Sequence, residues 1–298
     1  MKMDDSSKKK IAIQLIGQVN EFPPLPAVVN RILQVTADPE SSLDKLARIV
    51  EAEVGLSASI IKLANSPFFG LSREVSSIPH ALAVLGMEEV RNLVLAKAMF
   101  NTFSDFREKG GKVNSLWTHS FYTALAAKTI AEKVGRADSG LFVAGLIHDI
   151  GKMVIFLAFS GESLVKIYGE SEKLDDTKKE IAFLGLNHED LGRLLVKSWL
   201  FPDALQMAVG YHHSPGSAPA HQTYPLVVCL ADTLALLEVV GLEGEEGASL
   251  CLPFLDPPLS ELFANYGLPL SVATIKDLYK DAQKAFEQAD DLISLLSG

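Results

Sequence analysis

Cysteine is nearly missing from this chain. Cys229 and Cys251 are the only two in 298 residues, too few and too isolated for a disulfide framework or a thiolate metal site, which fits a reducing compartment. Tryptophan is as scarce, and Trp117 and Trp199 both stand among apolar neighbours at helical spacing, which reads as core. No stretch of eighteen or more uninterrupted apolar residues occurs, and the opening MKMDDSSKKK has neither the apolar run nor the cleavage pattern of a signal peptide. The chain therefore reads as cytoplasmic, with no membrane partner. Positive charge is short too: 27 Lys and Arg face 37 Asp and Glu, for a formal charge of -10 and a pI near 5.2. That balance argues against broad binding of nucleic acid or anionic membrane, which needs clustered Lys and Arg. Lys8, Lys9 and Lys10 read as a solvated tail. What the chain does have is apolar content, 48% against 21% charged, enough to build a substantial core and to exclude a disordered chain.

Strand alternation is absent as well, and helical spacing recurs in its place. Leu43, Leu46, Ala47 and Val50 follow the i, i+3, i+4, i+7 pattern of one buried face, with Ser41 or Ser42 able to cap the start. Gly55 reads as the break after it. LSASIIKLAN reads as a second helix, SPFFG as a turn whose Phe68 and Phe69 are core by default or else an exposed aromatic surface for a partner, and SIPHALAVLG as a third helix between Ser77 and Gly86. A longer helix follows over about residues 87–103. FREKGGKVNS, with paired glycines and mixed charges, is the best linker. The expectation is an all-α protein in two lobes, 1–110 and 111–298.

In the second lobe Asn114 or Ser115 is expected to start a helix that Gly135 stops, and Gly151 to interrupt the one carrying His148. Later helices are expected near Thr177, Asn187, Pro202 and Pro225, with Thr177 and Glu180 forming a capping box. The acidic GLEGEEGASL reads as a surface loop, and the last 24 residues or so as an amphipathic helix that packs on its own domain or on a second subunit.

Five of the seven histidines fall on separate predicted helices of this lobe or at their ends: His119 in LWTHSFYTALAAK, His148 in GLIHDIGK, His188 in GLNHEDLG, and His212 with His213 in VGYHHSP. Neighbours on a helix sit about 100° apart, so His148 and Asp149 must share any ligand with groups from other helices. Asp232 stands in the apolar run PLVVCLADTLALLEVV, where a buried carboxylate is costly unless a cation or several donors compensate it. A lone histidine is more often a satisfied core residue. Five of them with two aspartates in one lobe point to a metal site assembled from inward-facing side chains of a helical bundle.

This order of a helix His, then His-Asp, then a later Asp resembles the HD superfamily of metal-dependent phosphohydrolases, and HDIGK followed by a further His and a His-His pair is similar to its HD-GYP branch. The whole chain resembles a narrower relative. FPPLPAVVNRILQVTADPESSLDKLARIVEAEVGLSASIIKLANSPFFGL, VSSIPHALAVLG, LWTHS, AGLIHDIGK and HEDLGRLLVKSWLFP together resemble the HDOD family, the HD-related output domains of bacterial signalling, over about residues 20–215. If the metal chemistry of the HD-GYP branch carries over, the resemblance implies that His119, His148, Asp149 and Asp232 hold one ion, and that Asp149, as bridge, holds a second with His188, His212 and His213. Asp149 and Lys152 would then be the catalytic pair, with Lys152 meeting a phosphate oxygen. Nitrogen and oxygen ligands without thiolate suit iron, manganese or zinc. The HDOD resemblance implies a regulatory output module that addresses a protein partner. The alternative is a metal-dependent phosphodiesterase acting on a nucleotide or cyclic dinucleotide. Ser214-Pro215-Gly216 follows the His pair, without the glutamate that usually stands there or the later Gly-Tyr-Pro signature of HD-GYP proteins, so cyclic-dinucleotide recognition does not carry over by motif.

LARIVEAEVGLSASIIKLAN also has the outline of a DNA-binding helix-turn-helix. Its second helix offers only Lys62 as a cation, a poor basis for phosphate contacts, so DNA is disfavoured as a partner.

Overall fold

In the computed structural model the residues described are 5–38, 40–102, 111–135, 138, 140–159, 162–168, 177–241 and 249–297. Among them the regular elements are helices, and no strand occurs. In chain order the α-helices are α1 Asp5–Glu21, α2 Ala27–Ala37, α3 Leu43–Glu51, α4 Val54–Ala64, α5 Ile78–Leu85, α6 Met87–Thr102, α7 Gly111–Lys133, α8 Gly140–Ile147, α9 Ile150–Ala158, α10 Glu162–Tyr168, α11 Thr177–Leu184, α12 His188–Ser198, α13 Asp203–Tyr211, α14 Thr223–Val240, α15 Leu259–Tyr266, α16 Val272–Glu287 and α17 Ala289–Ser297. The chain forms two compact units, Pro23–Glu108 with Gln283–Gly298, and Met1–Phe22 with Lys109–Ala282. Both chain ends thus group across the divide read near residue 110. At the first end, α1 buries Leu15 and Val19 and packs on α9, α11 and α12.

In the earlier unit, capping chemistry sets the helix starts. The Ser42 side chain accepts from the Lys45 N–H, and Ser77 accepts from the His80 N–H with Pro79 in the first turn of α5. Gly86, at φ 86°, ends α5. Gly55 does not break the run, because α4 begins at Val54 and the turn lies at Ala52 and Glu53. Phe68 and Phe69 lie in a 3-10 turn, half-buried and edge-to-face at 4.9 Å, rather than in the core. Helix α6 is buried on every side over residues 90–100, Arg91, Asn92 and Lys97 included.

In the later unit α7 lies along α14 and α8, and α12 packs on α9 and α13. Helix α7 begins at Gly111 instead of Asn114 or Ser115, so the end of the expected linker is already helical. Its residues 106–110 lie outside the described residues, as does 242–248 of the acidic loop. Gly135, at φ 66°, follows the end of α7. Trp117 and Trp199 are core, at 3% and 6% exposure. The stretch Gly140–Ala158 is long and apolar enough to cross a membrane, with mean hydropathy 1.8, and 89% of it is buried inside the fold, where it serves as core.

Candidate metal centre

Five separate pieces of chain deliver the candidate ligands. His119 stands mid-way along α7, between Trp117 and Phe121 of the core, and faces Asp232 on α14. His188 is the first residue of α12, held there by a reciprocal cap between Asn187 and Asp190. His212 closes α13, and His213 follows it. His148 and Asp149 are not on a helix. The break comes before Gly151: α8 ends at Ile147, Asp149 caps α9, and Gly151 lies inside the first turn of α9. That turn is why two sequence neighbours can aim at one place, which a continuous helix forbids.

Two glycines permit the crossing. A side chain on Gly145 would meet the Ala124 Cα at 2.7 Å, so glycine lets α8 lie directly on α7. A side chain on Gly151 would run into the His188 carbonyl oxygen and lie 2.6 Å from the Gly192 N, so glycine lets α9 lie directly on α12. Together they bring the His148-Asp149 turn up to His119 on one side and His188 on the other.

All seven expected metal ligands are brought together. The His119 Nε2 lies 2.7 Å from the Asp232 Oδ1, and the His148 Nε2 lies 3.6 Å from the same oxygen. The Asp149 Oδ2 lies 3.3 Å from the His148 Nε2 and 3.9 Å from the His119 Nε2. The other oxygen of Asp149, Oδ1, lies 3.3 Å from the His188 Nε2 and 3.7 Å from the His212 Nε2. The His213 Nε2 lies 3.2 Å from the His188 Nε2. Three sets have ligand atoms within 4.8 Å of one another: His119 with His148 and Asp232, His188 with His212 and His213, and His148 with Asp149 and His212. Lys152, also named from the sequence, is buried, and its ammonium sits 2.7 Å from the Asp149 Oδ2.

The donor set fits a divalent cation. The Nδ1 atoms of His148 and His212 lie 2.8 and 3.0 Å from the Gly145 and Val209 carbonyl oxygens, which can only accept, so each Nδ1 carries hydrogen and each Nε2 faces the cluster. The His148 Nε2 and the Asp149 Oδ1 are buried without a hydrogen-bond partner. Both atoms offer lone pairs at the centre of a buried cluster, an arrangement that is costly unless a cation binds there. His119 and Asp232 are 13% and 14% exposed and His213 is half-buried, while His148, His188 and His212 are at 0%, so the cluster is closed at its centre and reached by solvent at its ends.

Charge inside the cluster follows from burial and proximity. Burial by itself would depress the His148 imidazole, but the Asp149 and Asp232 carboxylates outweigh it and raise its pKa to about 10. For His212, burial and then the neighbouring His213 lower it to about 4. Asp149 and Asp232 both stay well below the usual carboxylate range: burial pushes each up, but His148 and Lys152 hold Asp149 ionised, and His119 and His148 hold Asp232.

Two carboxylates that sequence reasoning missed lie behind the histidines. Glu180, expected as half of a capping box with Thr177, is fully buried, and its Oε2 accepts from the His188 N–H and lies 2.8 Å from the His188 Nδ1. The Tyr168 hydroxyl donates to its other oxygen at 2.6 Å. Burial would raise Glu180, but His188, Lys152 and Tyr168 hold it lowered. Its position four residues before the buried Leu184, on the same helix face, was the available signal. Glu189 accepts from the His213 N–H at 3.0 Å and lies 3.8 Å from the His212 Nδ1.

An all-helical chain whose bundle gathers histidines around a His-Asp turn belongs to the class of HD-type helical proteins. More narrowly, the chain belongs to the HDOD domain family, whose model matches residues 22–215. It is similar to the crystal structure of an HDOD domain protein of unknown function from Geobacter sulfurreducens, with 26% identity over 97% of this chain and 99% of that one, at a TM-score of 0.76. A protein proposed to act in signal transduction, from Marinobacter aquaeolei VT8, shares the fold at 20% identity and TM-score 0.75, over 98% of this chain and 66% of that one. An uncharacterised protein of Treponema pallidum is 24% identical over 79% of this chain, which spans under half, 45%, of that relative's length.

Proposed function

We propose that this chain is a regulatory output module of bacterial signalling, cytoplasmic, that addresses a protein partner and carries a dinuclear site for iron, manganese or zinc in its later unit. One ion would be held by His119, His148, Asp149 and Asp232, the other by Asp149, His188, His212 and His213. The observation that carries the metal reading is the pair of orphaned atoms, the His148 Nε2 and the Asp149 Oδ1, at the centre of the cluster. The two oxygens of Asp149 face different histidines, which supports its role as bridge. The family and the proposed role of the Marinobacter relative support the signalling role.

Lys152 bears on turnover. In a hydrolase of this kind it would reach a phosphate oxygen, but here it is 3% exposed and closed onto Asp149. Its work in this chain is to keep Asp149 ionised. The absence of a glutamate after His213 points the same way.

The second reading, a phosphodiesterase for nucleotides or cyclic dinucleotides, is favoured by one feature, the placing of Asp149 between the two histidine groups. Ions held by His119, His148, Asp149 and Asp232 and by Asp149, His188, His212 and His213 would supply Lewis acidity toward a phosphodiester and toward water. The chain's part would be to hold Asp149 ionised through Lys152 and to orient His188 through Glu180. The deciding experiment assays metal-loaded protein against cyclic dinucleotides, mononucleotides and a generic phosphodiester, beside Asp149→Ala. Equal inactivity of both is the expected result. Turnover by wild type that Asp149→Ala abolishes would replace the regulatory reading with the hydrolase.

A further inference from the structure

The earlier unit opens a groove between α2 and α3 with a volume of about 800 Å³, within the range of small-molecule sites. Arg31, Gln34, Val35 and Asp38 line it from the α2 side at i, i+3, i+4 and i+7. Lys45, Arg48 and Ile49 line it from α3 at i, i+3 and i+4, so each helix turns one face to the groove. The floor is apolar, Val35 and Ile49 being largely buried, and the charged side chains stand in solvent. The two ends differ in charge. Where α2 hands over to α3, Asp38 lies 3.6 Å from the Lys45 ammonium, and Asp44 stands in the first turn of α3. Arg31 and Arg48 lie toward the other end, one on each helix. Among the described residues neither guanidinium has an ion-pair or hydrogen-bond partner. Two like charges that share one groove repel, and an anion between them removes that cost. Guanidinium forks match phosphate oxygens in geometry as well as in charge.

We propose that this groove binds a phosphate monoester of nucleotide size. The phosphate lies between Arg31 and Arg48, the body covers Val35 and Ile49, and a hydrogen-bond donor reaches Asp38 or Asp44. A phosphate monoester carries close to two negative charges at neutral pH, which balances two guanidiniums, whereas a single carboxylate leaves one uncompensated. The seven helical steps from Arg31 to Asp38 separate the two ends by about 10 Å, a length that a nucleoside monophosphate covers and free phosphate does not. A ribonucleoside monophosphate meets all three demands: a dianion at one end, a flat base for the apolar floor, and hydroxyl or amino donors for the acidic end. The groove lies wholly within the earlier unit and shares no residue with the metal centre.

The test is a calorimetric titration of the full chain, freed of metal with a chelator so that phosphate has no ion to bind. The titrants are the four ribonucleoside 5′-monophosphates, their nucleosides and inorganic phosphate. At least one monophosphate should bind, about tenfold or more tighter than inorganic phosphate and than its own nucleoside. Arg31→Gln and Arg48→Gln should each weaken that binding about tenfold or more, the worth of one charged hydrogen bond. Both side chains are exposed, so neither change endangers the fold. No binding of any of the four monophosphates would overturn the proposal. Binding that survives both arginine changes would overturn it by placing the ligand elsewhere. Inorganic phosphate binding as tightly as the best monophosphate would overturn it as well, by reducing the groove to a surface anion site. None of these results depends on metal, so failure here leaves the proposed metal site standing.

Discussion

Glu180 grips His188 twice through a single oxygen: its Oε2 accepts from the backbone N–H and stands beside the ring Nδ1, both at 2.8 Å. The Tyr168 hydroxyl anchors the other oxygen. The carboxylate fixes which ring nitrogen carries hydrogen, and so turns the His188 Nε2 toward Asp149 and His213.

Glu180→Gln keeps the shape and removes the charge behind His188. Metal affinity should fall by about 10- to 100-fold, measured by competition with a chelator. Unchanged affinity would show that Glu180 serves packing alone.

Metal content is the most direct check on the centre. Protein purified without chelators should carry close to two equivalents of iron, manganese or zinc, as the proposed ligand sets require. The His148→Ala, Asp149→Ala double variant should carry almost none, since it removes the bridge and the central imidazole together. Elemental analysis reads both, and a metal-free wild type that also resists reconstitution would remove the metal site.

The pH dependence of the metal-free protein has a defined sign. His148 is raised to about 10 in the folded chain, so it binds more protons there than when unfolded. Its stabilising contribution is complete below about pH 6.5 and is lost as pH climbs through about 10. His212, lowered to about 4, binds fewer protons folded, so stability should fall as pH drops from about 6.5 toward that value. Thermal midpoints should therefore peak near pH 6.5 without metal. An ion must displace the His148 proton, so metal should add more stability as pH rises through the same upper window, with proton release visible by calorimetry in different buffers.

Gly151→Ala should damage stability and site together. The new methyl group would strike the His188 carbonyl and crowd the Gly192 N, forcing α9 off α12. A loss of roughly 1–3 kcal/mol is expected in denaturant unfolding, with weaker metal binding, because the same shift carries Asp149 away from His188. Wild-type behaviour on both measures would mean that the crossing has slack.

Periodicity in the sequence determined the helical class, and local capping chemistry determined several boundaries, as at Ser42, Ser77 and Asn187, because both act within one or two turns of chain. Residue chemistry also marked the cluster, since histidines and an aspartate in apolar runs need partners wherever the chain goes. Tertiary structure decided what depends on contacts between distant elements. The sequence shows Gly151 as a helix breaker, while the fold uses it to let α9 touch α12. Glu180 looks like a cap locally, yet its partners are His188, eight residues on, and Tyr168, twelve residues back. Lys152 stands one turn past Asp149, a pairing that local i, i+3 spacing allows, and only the closed bundle shows that the pair is buried. Local rules act over a turn of helix, whereas these three roles depend on which helices cross and how closely they can approach.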